Sequence, residues 1–246
     1  MTDIYSPDSE GIRAAASSSR PSSLHTLSTV AEHRVIAIVR APDGETAFAQ
    51  SNALLVAGAG VVEISLTTPD ALDAIRRCVR VHPSAVVGAG TVLDAASAVA
   101  AVRAGARLLV TPTLNADVIA AAGRYGVVVI PGCATPTEML RAHELGAHAV
   151  KLFPARQWTP AAMADVREAL PQLNIVPTGG VSIDSASQWL EAGALAVGIG
   201  SALTRAATDQ MQKSLRVLRA VAEAINRPTA PAASTRPTEL DREGGR

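Results

Sequence analysis

The sequence predicts an α/β protein of the (β/α)8 barrel class, a single domain with an extra helix ahead of its first strand. Three observations lead there. Short runs of branched apolar residues recur eight times, at intervals of about 20–26 residues. Alanine-rich amphipathic stretches separate them, several closing on a glycine. The phrases AVRAGARLLVTP, AHELGAHAVKLFP and WLEAGALAVGIGS repeat one helix–turn–strand pattern along the chain. Apolar runs of this kind suit parallel strands covered on both faces, and eight strand-then-helix units suit a barrel. A doubly wound open sheet is the alternative arrangement of the same units.

The elements follow in order. A segment near Pro21–His33 carries leucines and Val30, and is expected to form the extra helix over the barrel bottom. The first four strand runs are VIAIVR (35–40), VVEISL (61–66), AVVGAGTV (85–92) and RLLVTP (107–112). GVVVIPG (126–132), HAVKLFP (148–154), NIVPTGG (174–180) and ALAVGIGS (194–201) complete the set. Pro69-Asp70 is expected to open a helix, near the first-turn position where proline is tolerated. Gly105, Gly146 and Gly193 each precede a strand, where a helix end calls for positive φ. Residues 1–24 and 227–246 lack periodicity and carry few apolar groups, which predicts flexible tails around a barrel at 25–226.

Composition removes several function classes. The chain has 246 residues, 48% hydrophobic, enough for one large core. Lys+Arg and Asp+Glu both count 22, so there is no basic excess for nucleic acid or a membrane surface. Aromatic residues make up only 2%, too few for a base-stacking platform. No apolar run approaches the roughly 20 residues of a membrane span, and no basic-then-apolar leader opens the chain. Cys78 and Cys133 lack metal or disulfide-framework spacing and are expected as reduced thiols in a cytoplasmic protein. HELGAH (143–148) looks like a zinc helix motif, but its histidines are five apart, where the motif needs i and i+4. No metal and no cofactor is expected.

Barrel chemistry sits at the C-terminal strand ends. Lys151 alternates with Val150 and Leu152, so it faces opposite to both. It either snorkels between strand and helices or points into the interior as an amine nucleophile. Glu63 lies on the second strand, Lys151 on the sixth, and both strands are even-numbered. One barrel layer draws its residues from alternate strands, so the two can meet across the ring. They form either a structural ion pair or a nucleophile with its acid/base partner. Arg40, ending the first strand, is either a rim salt bridge or a clamp for a substrate carboxylate. As a neighbouring cation it would also favour the neutral form of an amine. Thr91, after Gly88-Ala89-Gly90, can donate to a small anion, although tight strand packing explains those glycines equally well. Thr178-Gly179-Gly180 ends the seventh strand and Gly198-Ile199-Gly200-Ser201 the eighth. Loops there commonly bind phosphate through backbone N–H groups.

A lysine, a carboxylate and two anion-binding ends suit Schiff-base cleavage of a phosphorylated 2-oxo acid. An isomerase or synthase barrel, or a non-catalytic phosphate-binding barrel, would share the glycines but not need a lysine facing a glutamate.

In the segment 34–205, the motifs VEISLTTP, GAGTVL, VTP, PGCATPTE, KLFPA, PTGGV and GSAL occur in that order. There the chain resembles the 2-keto-3-deoxy-6-phosphogluconate (KDPG) aldolase family, class I enzymes on a (β/α)8 barrel, usually homotrimers. The resemblance implies a Schiff-base lysine at Lys151 and a general acid/base at Glu63. It implies contacts to the pyruvate moiety from Arg40, Thr91 and the Pro112 and Pro131 regions, with Phe153 packing on the substrate. It implies phosphate binding by Gly179, Gly180, Gly200 and Ser201. Substrate and product would be a phosphorylated 2-oxo sugar acid and pyruvate, with 4-hydroxy-2-oxoglutarate as a further substrate of many members. Where many members have an arginine shortly after the glutamate, this chain has Thr67, closer to galactonate-specific relatives, as is PGCAT. Thr178 resembles the gluconate type instead. Gluconate-type or dual activity is the first expectation, galactonate-type the alternative.

Overall fold

The alternation of apolar runs and amphipathic stretches is realised in the computed structural model, which describes residues 22–204 and 208–226. Helix α1 (Ser23–His33) comes first, followed by β1 (Val35–Val39), α2 (Gly44–Val56), β2 (Val61–Ser65) and α3 (Ala71–Val81). Then come β3 (Val86–Gly90), α4 (Ala95–Arg103), β4 (Leu108–Val110), α5 (Ala116–Tyr125), β5 (Val128–Ile130) and β6 (Gly132–Cys133). The chain continues through α6 (Pro136–Glu144), β7 (Val150–Leu152), a 3-10 turn at Ala155–Gln157, α7 (Pro160–Ala169) and β8 (Ile175–Pro177). It closes with α8 (Ala186–Glu191), β9 (Val197–Ile199), α9 (Ser201–Thr204) and α10 (Thr208–Asn226). The expected tails lie outside the described residues, except that Ser22 caps α1, accepting from the His25 N–H, and Ser23 and Leu24 open it. None of the described helices is long and apolar enough to cross a membrane.

Local chemistry sets the helix ends. Asp43, Asp94, Asn115, Thr135 and Thr159 each accept from a first-turn N–H, and Thr135 forms a reciprocal capping box with Glu138. Such caps are worth about 1 kcal/mol each. Gly105, Gly146 and Gly193 have φ of 105°, 96° and 91°, where a Cβ would be strained. Gly146 follows the end of α6, so His143 lies on that helix and His148 beyond it, ahead of β7. Helix α3 starts later than expected: its N-cap is Asp70, with φ 57°, and Pro69 lies outside the first turn.

All strand pairs are parallel. Six strands form one sheet in the order β5-β4-β3-β2-β1-β9, and three form another in the order β6-β7-β8. The expected run GVVVIPG is cut in two by Pro131, which has no N–H for the ladder. Its carbonyl still accepts from the Lys151 N–H at 2.8 Å. An isolated parallel bridge joins Thr178, after β8, to Gly198 of β9. Strand β7 ends at Leu152, directly ahead of Phe153-Pro154. Beyond this cis peptide the Ala155 and Arg156 N–H groups donate to the Thr178 and Gly179 carbonyls at 2.8 and 2.9 Å.

Strand parity divides the core. Alternate residues such as Val62, Ile64, Val87, Leu109, Val150 and Leu152 pack with helix residues in one cluster. Their neighbours Ile36, Val61, Val86, Leu108, Val128, Val176 and Ala196 form a second, inner cluster, to which α1 contributes Val30 and Leu27. Most of these inner residues sit near strand N-termini, so α1 covers that end. The opposite end of the same inner face is left for polar groups.

Candidate active site

Following inner parity toward the strand C-termini gives Arg40 after β1, Glu63 and Ser65 on β2, Gly88 and Gly90 on β3, Lys151 on β7, Thr178 after β8 and Gly198 on β9. These are the positions where the apolar pattern gives way. Glu63 is 3% exposed and Lys151 7%. Lys151 lies level with Gly132 on one side and Val176 on the other. Glycines make the room. A Cβ on Gly90 would overlap the Glu63 carboxylate, its Cδ lying 2.6 Å away. One on Gly132 would meet the Pro112 carbonyl, and one on Gly198 the Thr178 hydroxyl. Gly88 has a different reason, because its Cβ would stand 2.9 Å from that of Leu108. The glycines of the GAG segment thus divide between strand packing and clearance for Glu63.

Burial pushes the Glu63 carboxyl above its usual range, and the charges of Lys151 and Arg40 act against that rise. Burial dominates, so Glu63 tends to hold its proton where an exposed carboxylate would have lost it. Among the described residues it forms no direct ion pair with Lys151. The Lys151 Nζ stands 4.8 Å from the centroid of the Phe153 ring. That ring also faces Gly179, where a Cβ would come within 3.0 Å of it. Phe153 therefore links the lysine to the glycine end.

Arg40 is exposed, and its Nη2 donates to Thr91 Oγ1 at 3.4 Å. Thr91 has φ 57°, unusual for a residue with a Cβ. Its hydroxyl lies 2.9 Å from that of Ser65, which lies 2.9 Å from that of Thr67. Ser65 was not among the residues expected from the sequence. Its signal is its place two residues after Glu63, on the same face.

Gly179 and Gly180 have φ of 86° and 105°. The Arg156 Cβ lies 2.7 Å from where a Gly180 Cβ would stand. Gly200 differs: a Cβ there would come no nearer than 3.8 Å to any neighbour, so packing does not require glycine. Ser201 is exposed and opens α9. Thr178 is buried, and its hydroxyl donates to the Val176 carbonyl at 3.3 Å. Pro112 follows β4 and is half-buried, whereas Pro131 is buried between β5 and β6. Cys78 and Cys133 are free and buried, their thiols pushed up to about 11 and about 12 by burial. Neither is available as a thiolate nucleophile near neutral pH. The structure thus brings Arg40, Glu63, Thr91, Lys151, Phe153 and the glycine ends to one side of the sheets.

Comparison with known proteins shows the family. The family model for KDPG and KHG aldolase matches residues 27–219. The 2-dehydro-3-deoxy-6-phosphogalactonate aldolase of Escherichia coli K12 is 38% identical over 174 residues, 70% of this chain and 85% of that protein. The 2-dehydro-3-deoxy-phosphogluconate aldolase of Pseudomonas aeruginosa is 34% identical, over 65% of this chain and 73% of its own. A solved structure described as native KDPGal superposes with TM-score 0.72 at 34% identity, covering 78% of this chain and 95% of that one. The chain is therefore an aldolase, a carbon–carbon lyase, and belongs to the KDPG and KHG aldolase family.

Proposed function

We propose that the chain cleaves 2-dehydro-3-deoxy-6-phosphogluconate to pyruvate and glyceraldehyde 3-phosphate through a Schiff base on Lys151. The observation that carries this reading is the buried lysine sharing one inner face with a buried glutamate whose proton affinity is raised. The Lys151 amine attacks the C2 ketone, and Glu63 gives a proton to the departing hydroxyl as the carbinolamine becomes an iminium. Glu63, now a carboxylate, removes the C4 hydroxyl proton. The C3–C4 bond breaks, the aldehyde leaves, and the bonding pair moves into the iminium as an enamine. Protonation at C3 and hydrolysis release pyruvate and the free lysine. General acid–base help of this kind is typically worth about 10²–10⁴-fold.

Arg40 and Thr91 take the carboxylate end, while Pro112 and Pro131 frame the pyruvate moiety. Phe153 packs on the chain of the substrate. Gly179, Gly180, Gly200 and Ser201 hold the phosphate through N–H groups, a role supported by the lack of any packing demand for glycine at 200. Gluconate-type or dual specificity is supported by the Thr178 hydroxyl on the inner face, with 4-hydroxy-2-oxoglutarate as a further substrate. The galactonate epimer is the second reading, favoured by the 38% identity to the E. coli galactonate enzyme.

The same reading treats β5 and β6 as one interrupted strand. With the Thr178–Gly198 bridge, this gives an eight-stranded barrel over residues 25–226. A cytoplasmic homotrimer is proposed on the family resemblance alone.

Borohydride reduction in the presence of pyruvate tests the nucleophile. The peptide containing Lys151 should gain the mass of one reduced pyruvate, and Lys151→Met should gain none. A folded wild-type protein without that adduct would remove the Schiff base from the mechanism. Retro-aldol rates on the two C4 epimers then decide specificity.

A further inference from the structure

A chain of hydroxyl groups crosses the ends of β2 and β3, and hydrogen-bond counting gives it a direction. Thr67 Oγ1 lies 2.9 Å from Ser65 Oγ, and Ser65 Oγ lies 2.9 Å from Thr91 Oγ1. The Thr67 N–H donates to Ser65 Oγ at 3.4 Å, and Arg40 Nη2 donates to Thr91 Oγ1 at 3.4 Å. A guanidinium has no acceptor, so Thr91 must accept from Arg40. Each hydroxyl has one proton to give, and Ser65, which already accepts from the Thr67 N–H, has one lone pair left and cannot accept from both neighbours, so two arrangements remain. In the first, Thr91 donates to Ser65 and Ser65 to Thr67, so the chain discharges its last proton at exposed Thr67. In the second, Thr67 donates to Ser65 and Ser65 to Thr91. Thr91 then accepts twice, and its own proton is free at the Arg40 end.

An anion beside Arg40 and Thr91 selects the second arrangement, because only that one offers it a hydroxyl proton. Each accepted bond also polarises the next hydroxyl along the chain. Ser65 is fully buried, so its hydroxyl must be satisfied by these partners. Thr91 is held in a left-handed conformation that a residue with a Cβ rarely adopts, and such conformers persist where the surroundings hold them.

We propose that Ser65 is a positioning residue that acts through Thr91, aiming its hydroxyl proton at the carboxylate of the 2-oxo acid, while Thr67 competes as an acceptor for the Ser65 proton. This rests on the Schiff-base reading above. It assigns to one uncharged side chain part of the recognition of a negative group, and it makes exposed Thr67 a group that can draw the Ser65 proton away from Thr91.

The test is the pyruvate dependence of borohydride trapping. Ser65→Ala should raise the apparent KM for pyruvate about threefold to tenfold, the range of one hydrogen bond, whereas Thr67→Val removes the acceptor of the first arrangement and should leave KM unchanged or lower it. The change in Ser65→Ala should fall on KM rather than on the maximal trapping rate. Trapping with pyruvamide, the same ketone with a neutral amide in place of the carboxylate, should lose less than trapping with pyruvate. An unchanged KM in folded Ser65→Ala, a raised KM in Thr67→Val, or equal losses with pyruvate and pyruvamide, overturns the proposal while leaving Lys151 as nucleophile. Failure of the wild-type protein to trap pyruvate sinks both readings, so the two failures are distinct. Thr67 is exposed, so its substitution keeps the test decisive if Ser65→Ala misfolds.

Discussion

Around the ends of β1, β2 and β3 the site is made of side chains that hold one another. Arg40 donates to Thr91, Thr91 meets Ser65, and Ser65 meets Thr67. Around the ends of β8 and β9 it is made by leaving side chains out, at Gly179, Gly180 and Gly200. The difference matches the two anions of the proposed substrate. A carboxylate is small and planar, and directed hydroxyl and guanidinium donors suit it. A phosphate is broader and presents oxygens in several directions, so backbone N–H groups suit it when nothing keeps it at a distance. The first end can be weakened one group at a time. The second is open mainly to addition, and an added methyl acts through space rather than through a lost bond.

Removing a group has the largest expected effect where the group handles protons. Glu63→Gln keeps the size of the side chain and removes its acid–base capacity. Turnover should fall about 10²–10⁴-fold, measured as retro-aldol kcat, with the far-ultraviolet circular dichroism unchanged. Wild-type turnover in this variant would take Glu63 out of the mechanism.

Addition at the side-chain end comes next. In Gly90→Ala the new methyl would occupy space now held by the Glu63 carboxylate, which must shift. A displacement of about 1 Å at a reacting group can cost on the order of 10²-fold. The loss should appear in kcat, and Glu63→Gln/Gly90→Ala should be no slower than Glu63→Gln alone, since both act through one carboxyl.

Addition at the glycine end should have a smaller and differently distributed effect. Gly179→Ala places a Cβ at φ 86° and 3.0 Å from the Phe153 ring. KM for the phosphorylated substrate should rise about tenfold, as for one impaired hydrogen bond to a charged group. Trapping of pyruvate, which has no phosphate, should change far less. Equal losses with both substrates would mean that Gly179 matters through Phe153 and not through the phosphate.

The two ends also differed in how far they could be read in advance. Glycines after the last two strands were legible, because their place in a repeated strand–helix order is itself the signal. Lys151 and Glu63 were legible because each interrupts an apolar run at a defined parity. Ser65 was not, because a small hydroxyl within VVEISL looks like part of the strand until Thr91 is seen to reach it. Thr91 reaches it only through a left-handed backbone that its side chain gives no reason to expect. The break at Pro131 follows from a missing N–H, yet the hydrogen bonds that resume after Pro154 depend on where β8 lies. Parity along one strand is local information. Which hydroxyl meets which across two strands depends on register, and register is set by the whole sheet.

The smallest expected effect is on stability, and its sign runs against activity. Glu63 titrates above the ordinary carboxylate range in the folded protein because it is buried. Below the ordinary range the carboxyl is protonated in both folded and unfolded chains, and it brings no pH-dependent penalty. As pH rises past that range the unfolded chain ionises first, so wild-type stability is lost until the folded carboxyl also ionises. Glu63→Gln has no such group. Its stability relative to wild type should therefore increase with pH across this window and level off above it, by about 1.4 kcal/mol for each unit of upward shift. Urea midpoints of the two proteins between pH 4 and pH 8 measure the difference. A gap that stays constant with pH would mean that Glu63 ionises alike in both states. A gap that widens would place a destabilising proton acceptor where the proposed chemistry needs one.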